Sequence, residues 1–228
     1  MTAWGAYRIL VRWDWTREMK RKSTITAMLL IGLITLFVFS FAIPPTRTVI
    51  RDAGPGVLWL TFLLAGTIGV ERAFRGDGDG RLLEGLLLAP IDRTVLYYAR
   101  VSSTFLFVAA MEAVMAALFV LLFDVSMASE AALWCAAAGL AATFGFVVVG
   151  VLISAMTWSV RGGDVLLRVL LFPLLIPVLA SAVRITGRAF EGRPPALEDL
   201  GIILCFDLVF LGAGHFLFEH LVRDFEGQ

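Results

Sequence analysis

Residues 55–123 read PGVLWLTFLLAGTIGV (55–70), ERAFRGDGDGRLLEGLLLAPIDRT (71–94), VLYYAR (95–100) and VSSTFLFVAAMEAVMAALFVLLF (101–123). Two apolar runs enclose the only long charged segment between such runs. An α-helix rises 1.5 Å per residue, so about 20 apolar residues cross the ~30 Å hydrocarbon core of a bilayer. The run 101–123 is long enough by itself. The run 55–70 is short and is expected to extend through Glu71 or to start nearer Asp52. Working outward, Ile25–Ile43, Ala131–Met156, Val165–Val183 and Gly201–Leu217 are further candidates. The chain is 59% hydrophobic with a mean hydropathy of +0.87, which excludes an ordinary soluble domain. Lipid offers no partner to an unpaired backbone group, so each run must be helical. The fold class is all-α integral membrane, with about six transmembrane helices in a single domain over residues 1–228.

The basic residues set the orientation. Arg8, Arg12, Arg17, Lys20, Arg21 and Lys22 precede the first span, and Arg72, Arg75, Arg81, Arg93 and Arg100 follow the second. Arg161 and Arg168 follow the fourth, and Arg223 lies in the tail. The opposite side holds fewer: Arg47, Arg51, Arg184, Arg188 and Arg193. Both termini and the 71–94 segment are therefore expected in the cytoplasm. The first apolar run has no A-x-A-like exit, so it reads as a retained span and not as a cleavable signal. Net charge is zero, and no affinity for nucleic acid is implied. The basic segment 1–24 is a topology signal that also attracts anionic membrane lipids.

Within that segment, Trp4, Tyr7, Val11 and Trp15 recur at helical spacing and predict an interfacial helix over 3–22. Pro44-Pro45 and Gly54-Pro55 delimit an expected loop, 44–54. Residues 124–130 read as a tight turn. Pro173 and Pro177 are expected to kink the fifth span or split it into half-helices. Residues 184–199 read as a polar external segment with room for a short surface or re-entrant helix.

Few residues could carry chemistry alone. A P-loop needs a lysine after a glycine-rich turn, and the two lysines, Lys20 and Lys22, have no such turn. Two histidines, His215 and His220, share a helix face poorly, and no haem-attachment or metal-ligand spacing is present. No metal site, resident cofactor or catalytic residue is expected. Cys135 and Cys205 are read as buried free thiols, although both sit near the external ends of their spans, where a disulfide could form. Asp77-Gly78-Asp79-Gly80 begins like a calcium loop but lacks the required glycine and glutamate downstream. Glu112 and Asp207 lie inside spans, where a lipid-facing acid costs roughly 2.5–3.5 kcal/mol. They are expected to face the bundle or a wet cavity, either as functional groups or as hydrogen-bond partners of a neighbouring helix. Arg168 and Arg184 lie nearer span ends and can snorkel. Ala137, Ala141 and Gly145 form a small-x-x-x-small stripe suited to close helix contact.

In the charged segment, 76–80 is a glycine-rich hinge, and Arg81–Ala89 can form two helical turns that stop at Pro90. Leu82, Leu83, Leu86 and Leu87 fall on one side with Glu84 opposite, a pattern suited to a groove on a soluble partner or to the membrane interface.

Phe39-Ser40-Phe41-Ala42, Leu58-Trp59-Leu60, Glu71-Arg72, Glu84-Gly85-Leu86-Leu87-Leu88-Ala89-Pro90 and Phe172-Pro173-Leu174-Leu175-Ile176-Pro177 together resemble the haem exporter protein B family, from about Arg12 onward. The resemblance implies an ABC-2-type permease architecture and no enzyme activity of its own. It implies a homodimer in the bacterial inner membrane, paired with a separate ABC ATPase subunit that binds the ATP. Glu71 and Arg72 would close the second span, while Glu84, Gly85, Leu86 and Pro90 would form the coupling helix. Further implied partners are a haem-handling membrane subunit and a periplasmic haem chaperone, with haem as cargo in c-type cytochrome biogenesis. A permease for lipid, polysaccharide or drug, and a scaffold that transmits motion without translocation, are the alternatives. The 76–80 hinge departs from the family pattern, and Glu112, Asp207, Pro173 and Pro177 remain candidate intramembrane functional residues.

Overall fold

The computed structural model describes residues 3–20, 22–44, 46–74, 93–125, 129–157 and 162–225. The described residues form seven helices and no strand: α1 Ala3–Lys20, α2 Lys22–Ala42, α3 Arg47–Glu71, α4 Arg93–Phe123, α5 Ser129–Thr157, α6 Gly163–Phe190 and α7 Leu197–Phe225. Helices α2 to α7 are each long and apolar enough to cross a membrane. The protein is thus a multi-pass α-helical membrane protein. The expected coupling helix Arg81–Ala89, with Glu84, Gly85, Leu86 and Pro90, lies outside the described residues.

Helices α3 and α5 form the centre. In their apolar windows 61% and 67% of residues are buried, against 17% in α2 and α7. Helix α5 packs chiefly against α6 and α7, and α3 against α2, α6 and α4. Small residues permit this. A Cβ on Gly150 would collide with Val70, and one on Gly145 with the Asp207 carboxylate. Apolar burial drives little between helices already in lipid, so such close approach supplies van der Waals contact instead.

Several elements differ from expectation. Helix α3 starts at Arg47 and runs through Gly54-Pro55 to Glu71, so the expected 44–54 loop shrinks to the few residues before it. Pro55 is the ninth residue of α3, yet the backbone continues. Helix α6 likewise continues through Pro173 and Pro177, and there are no half-helices. A proline removes one backbone donor and frees one carbonyl, and a membrane helix tolerates this where local adjustments re-satisfy the freed group. Both prolines lie on the exposed face of α6. Helix α6 also extends to Phe190, and α7 begins at Leu197, so 184–199 contains no separate helix. Asp199 accepts from Arg184 Nε at 2.7 Å across this junction, which gives a partner to an arginine expected only to snorkel. In the small-residue stripe Gly145 is buried as expected, but Ala137 is exposed and Ala141 half-buried, and their neighbours Ala138 and Ala142 are buried instead. Cys135 and Cys205 are both free, and Cys205 is exposed, not buried.

Helix α1 is a packed element. Ala6, Leu10 and Asp14 form its buried edge, at a spacing of four, and the expected stripe of Tyr7, Val11 and Trp15 flanks it, with Trp4 69% exposed. Arg100 Nη1 of α4 lies 2.6 Å from Asp14 Oδ1, and both side chains are over 90% buried. Ser103 donates to Asp14 Oδ2 at 3.3 Å, and Tyr7 donates to Ser102 at 2.7 Å. These contacts join α1 to the start of α4.

Candidate functional site

The predicted site residues fall in three places. Glu71 is the last residue of α3. Arg168 of α6 donates to both of its oxygens, with Nε to Oε1 at 2.5 Å and Nη2 to Oε2 at 3.0 Å. A two-point guanidinium–carboxylate pair fixes orientation as well as distance, so the residue after which the charged segment leaves α3 is tied to the start of α6. Arg72 caps the helix with an αR backbone. It lines a void of only about 20 Å³ with Asp14, Arg17, Glu18 and Arg100. This end of the bundle is closed and charged.

Asp207 is buried on α7 at the α5 contact, over Gly145. Its Oδ1 has no hydrogen-bond partner among the described residues. Pro173 and Pro177 lie on the exposed face of α6.

Glu112 is at a cavity. Midway along α4, it accepts a short hydrogen bond from Thr143 Oγ1 of α5. It stands at the inner end of a groove of about 460 Å³ that opens between α4 and α5. Ala109, Ala113 and Ala116 of α4 face Ala132, Ala136 and Gly139 of α5, and the floor is Leu58, Trp59 and Phe62 of α3 with Thr186 and Phe190 of α6. Small side chains on both walls cannot meet, and this leaves the space. Trp59 Nε1 donates to Thr186 Oγ1 at 3.0 Å, so the one polar atom of the indole is satisfied inside the floor, and the ring packs edge-on against Phe62 with centroids 5.5 Å apart. The volume is in the range of small-molecule sites, which are mostly apolar with a few placed polar groups.

A second cavity, of about 330 Å³, lies at the bundle end opposite Glu71. Ser40, Ile43, Arg47, Arg51, Asp124 and Phe190 are among its lining residues. Phe190 lines both cavities. Its ring stacks on Phe119 with centroids 6.1 Å apart, and Phe119 stacks on Phe123 at 4.7 Å.

Of the predicted site residues, Glu71 and Arg72 share one end of the molecule, Glu112 lies in the groove, and Asp207 belongs to neither. The groove walls and Thr143 were not singled out in sequence, and Trp59 entered only as part of the family resemblance, because small, hydroxyl and aromatic residues inside a span carry no signal of a cavity. The Asp14–Arg100 pair had a faint one: Asp14 is an acid in register with Leu10 and Ala6 on a predominantly basic helix.

The family model described as CcmB protein matches residues 6–224, reaching into all seven helices. Proteins named heme exporter protein B are similar to the chain. That of Haemophilus influenzae is 30% identical, with 72% of this chain and 73% of the relative covered. That of Pseudomonas aeruginosa is 26% identical, covering 77% and 78%. That of Shigella flexneri is 26% identical over 90% and 91%. With nearly every residue inside the family match, and with six membrane-spanning helices behind an N-terminal packed one, the chain belongs to the CcmB family.

Proposed function

We propose that this chain is the membrane subunit of a haem exporter, coupled to a separate ATPase and serving haem delivery to a periplasmic chaperone in c-type cytochrome biogenesis. The observation that carries the reading is the family match over residues 6–224, with relatives that are named heme exporter protein B. Both termini and the segment leaving Glu71 face the cytoplasm of the inner membrane, as the distribution of basic residues supports. ATP is hydrolysed on the partner, with Glu84, Gly85, Leu86 and Pro90 as its docking segment. The Glu71–Arg168 pair supports this assignment, because a tether between α3 and α6 at the root of the segment passes a push on it to two helices. Haem is cargo, and two copies of the chain form the transmembrane unit beside a haem-handling subunit. The groove supports a membrane-dissolved cargo, since its walls are apolar and it opens at the bundle surface. The same feature favours, as a second reading, a permease for another amphiphile such as a lipid.

Affinity purification from native membranes tests the main reading. Co-recovery of an ATPase and a haem-binding membrane subunit is the expected result, and recovery of neither overturns it. Glu84→Lys combined with Leu86→Asp is expected to leave membrane insertion normal and to abolish ATPase association. Retained association would remove the docking assignment and leave the family-based function standing.

A further inference from the structure

The groove and the arginine-lined vestibule are adjacent, and their chemistries are complementary halves of one ligand. The groove is mostly apolar, walled largely by alanine and glycine and floored by Trp59 and Phe62, with the Glu112 carboxyl, bonded to Thr143, as its acidic group. The vestibule carries Arg47 and Arg51, one helical turn apart on α3, against the single carboxylate of Asp124. Neither arginine has an ion-pair partner among the described residues, whereas Arg100, Arg168, Arg184 and Arg193 all do. Between the halves stand the Phe119 and Phe190 rings. A Cβ on Gly54 would lie 3.2 Å from Phe119 and 3.3 Å from Phe190, so both rings rest against bare α3 backbone.

We propose that the groove and vestibule form one bipartite site for a planar amphiphile bearing two carboxylates on one edge. Its macrocycle occupies the groove and its carboxylates reach Arg47 and Arg51 past the Phe119–Phe190 partition. This rests on the haem reading above and deepens it, because a porphyrin with paired propionates has that division of surface. Arginine is suited to the task because its planar fork pairs with carboxylates in two-point geometry. Phe119 and Phe190 are the groups that must rotate for the ligand to span both cavities, and Gly54 leaves their α3 side free of a side chain. Ligand binding at this end would place the carboxylates at the end of α3 opposite Glu71.

The test uses the full chain in phosphatidylcholine nanodiscs and the fluorescence of zinc protoporphyrin, with its dimethyl ester as the probe lacking carboxylates. Zinc protoporphyrin is expected to bind the unmodified chain, and each of Arg47→Gln and Arg51→Gln to weaken it by about tenfold, the scale of one charge-assisted hydrogen bond. The ester is expected to bind weakly and to ignore both changes. Gly139→Leu, at a groove position with nothing within 4 Å of the added Cβ, is expected to weaken both probes. Equal binding by the unmodified chain and the Arg47→Gln/Arg51→Gln variant overturns the proposal, as does indifference to Gly139→Leu. No porphyrin binding, with phosphatidylglycerol retained in an arginine-dependent way, also overturns it in favour of a lipid site. A cellular arm separates this from the parent reading. If deletion of the chain abolishes haem loading of the chaperone and Arg47→Gln/Arg51→Gln restores it fully, the site fails and haem export stands. If deletion leaves loading unchanged, haem export fails.

Discussion

The two halves of the bundle are built from the same residue types and pack in opposite ways. Toward Glu71, Val147, Val148, Val149 and Val151 of α5 are each at most 1% exposed, and the cavity beside Arg100 holds only about 20 Å³. Toward Asp124, the other end of the same helix borders a groove of about 460 Å³. Glycine occurs in both halves. Gly150 is filled against by Val70 and Gly145 by Asp207, whereas Gly139 meets nothing. A small residue therefore does not specify contact or void. The facing side chain does: a branched or polar group closes the gap, and the alanines at 109, 113 and 116 leave it open.

The largest expected effect is in the closed half. Arg100→Ala removes the guanidinium from the buried Asp14 carboxylate and is expected to cost about 3–5 kcal/mol, read as a lower unfolding midpoint in detergent. Arg100→Met with Asp14→Leu should recover much of it; if the single and double variants are equally unstable, the pair is not what joins α1 to α4. Next, Gly150→Val should cost about 1–3 kcal/mol by forcing α3 and α5 apart at Val70, while Gly139→Leu in the open half leaves the midpoint unchanged or slightly raised. Equal losses at both glycines would erase the contrast between the halves. Trp59→Phe removes the donor to Thr186 on the groove floor and is expected to cost about 1 kcal/mol, together with altered probe fluorescence in the groove. The smallest effect is at Arg168→Gln. Its side chain is about half exposed, so the Glu71 pair contributes no more than about 1 kcal/mol to stability. Its consequence should appear instead as reduced stimulation of the partner ATPase with an unchanged midpoint. A large drop in midpoint would make the pair a structural brace.

Legibility followed the length scale of the signal. The spans were legible because each needs about 20 apolar residues in a row; α5 came out close to its expected limits, while α4 ends at Phe123 as expected but starts at Arg93, well before Val101. Helix ends were less so. Pro45, Gly54 and Pro55 suggest a loop when read locally, yet α3 starts at Arg47 because backbone groups near lipid are satisfied more readily inside a helix than outside one. Of the two outcomes expected at Pro173 and Pro177, the split into half-helices does not occur, for the same reason. Glu112 was legible as an anomaly, an acid in an apolar run, but its partner Thr143 lies 31 residues away and could not be named from spacing. The same holds for Arg168 and Glu71, separated by 97 residues.

The sequence by itself determined the solvent in which this chain lives, the number of crossings, the side on which basic residues gather and the family resemblance. Each is written in local composition or in contiguous motifs, and needs no knowledge of which helix meets which. Tertiary structure alone decided that α3 and α5 are central, that Asp14 is locked to Arg100, and that Glu112 ends a groove while Asp207 is pressed onto Gly145. Those outcomes depend on which side chains face each other across a helix pair, and in lipid, where hydropathy no longer separates inside from outside, packing settles that choice.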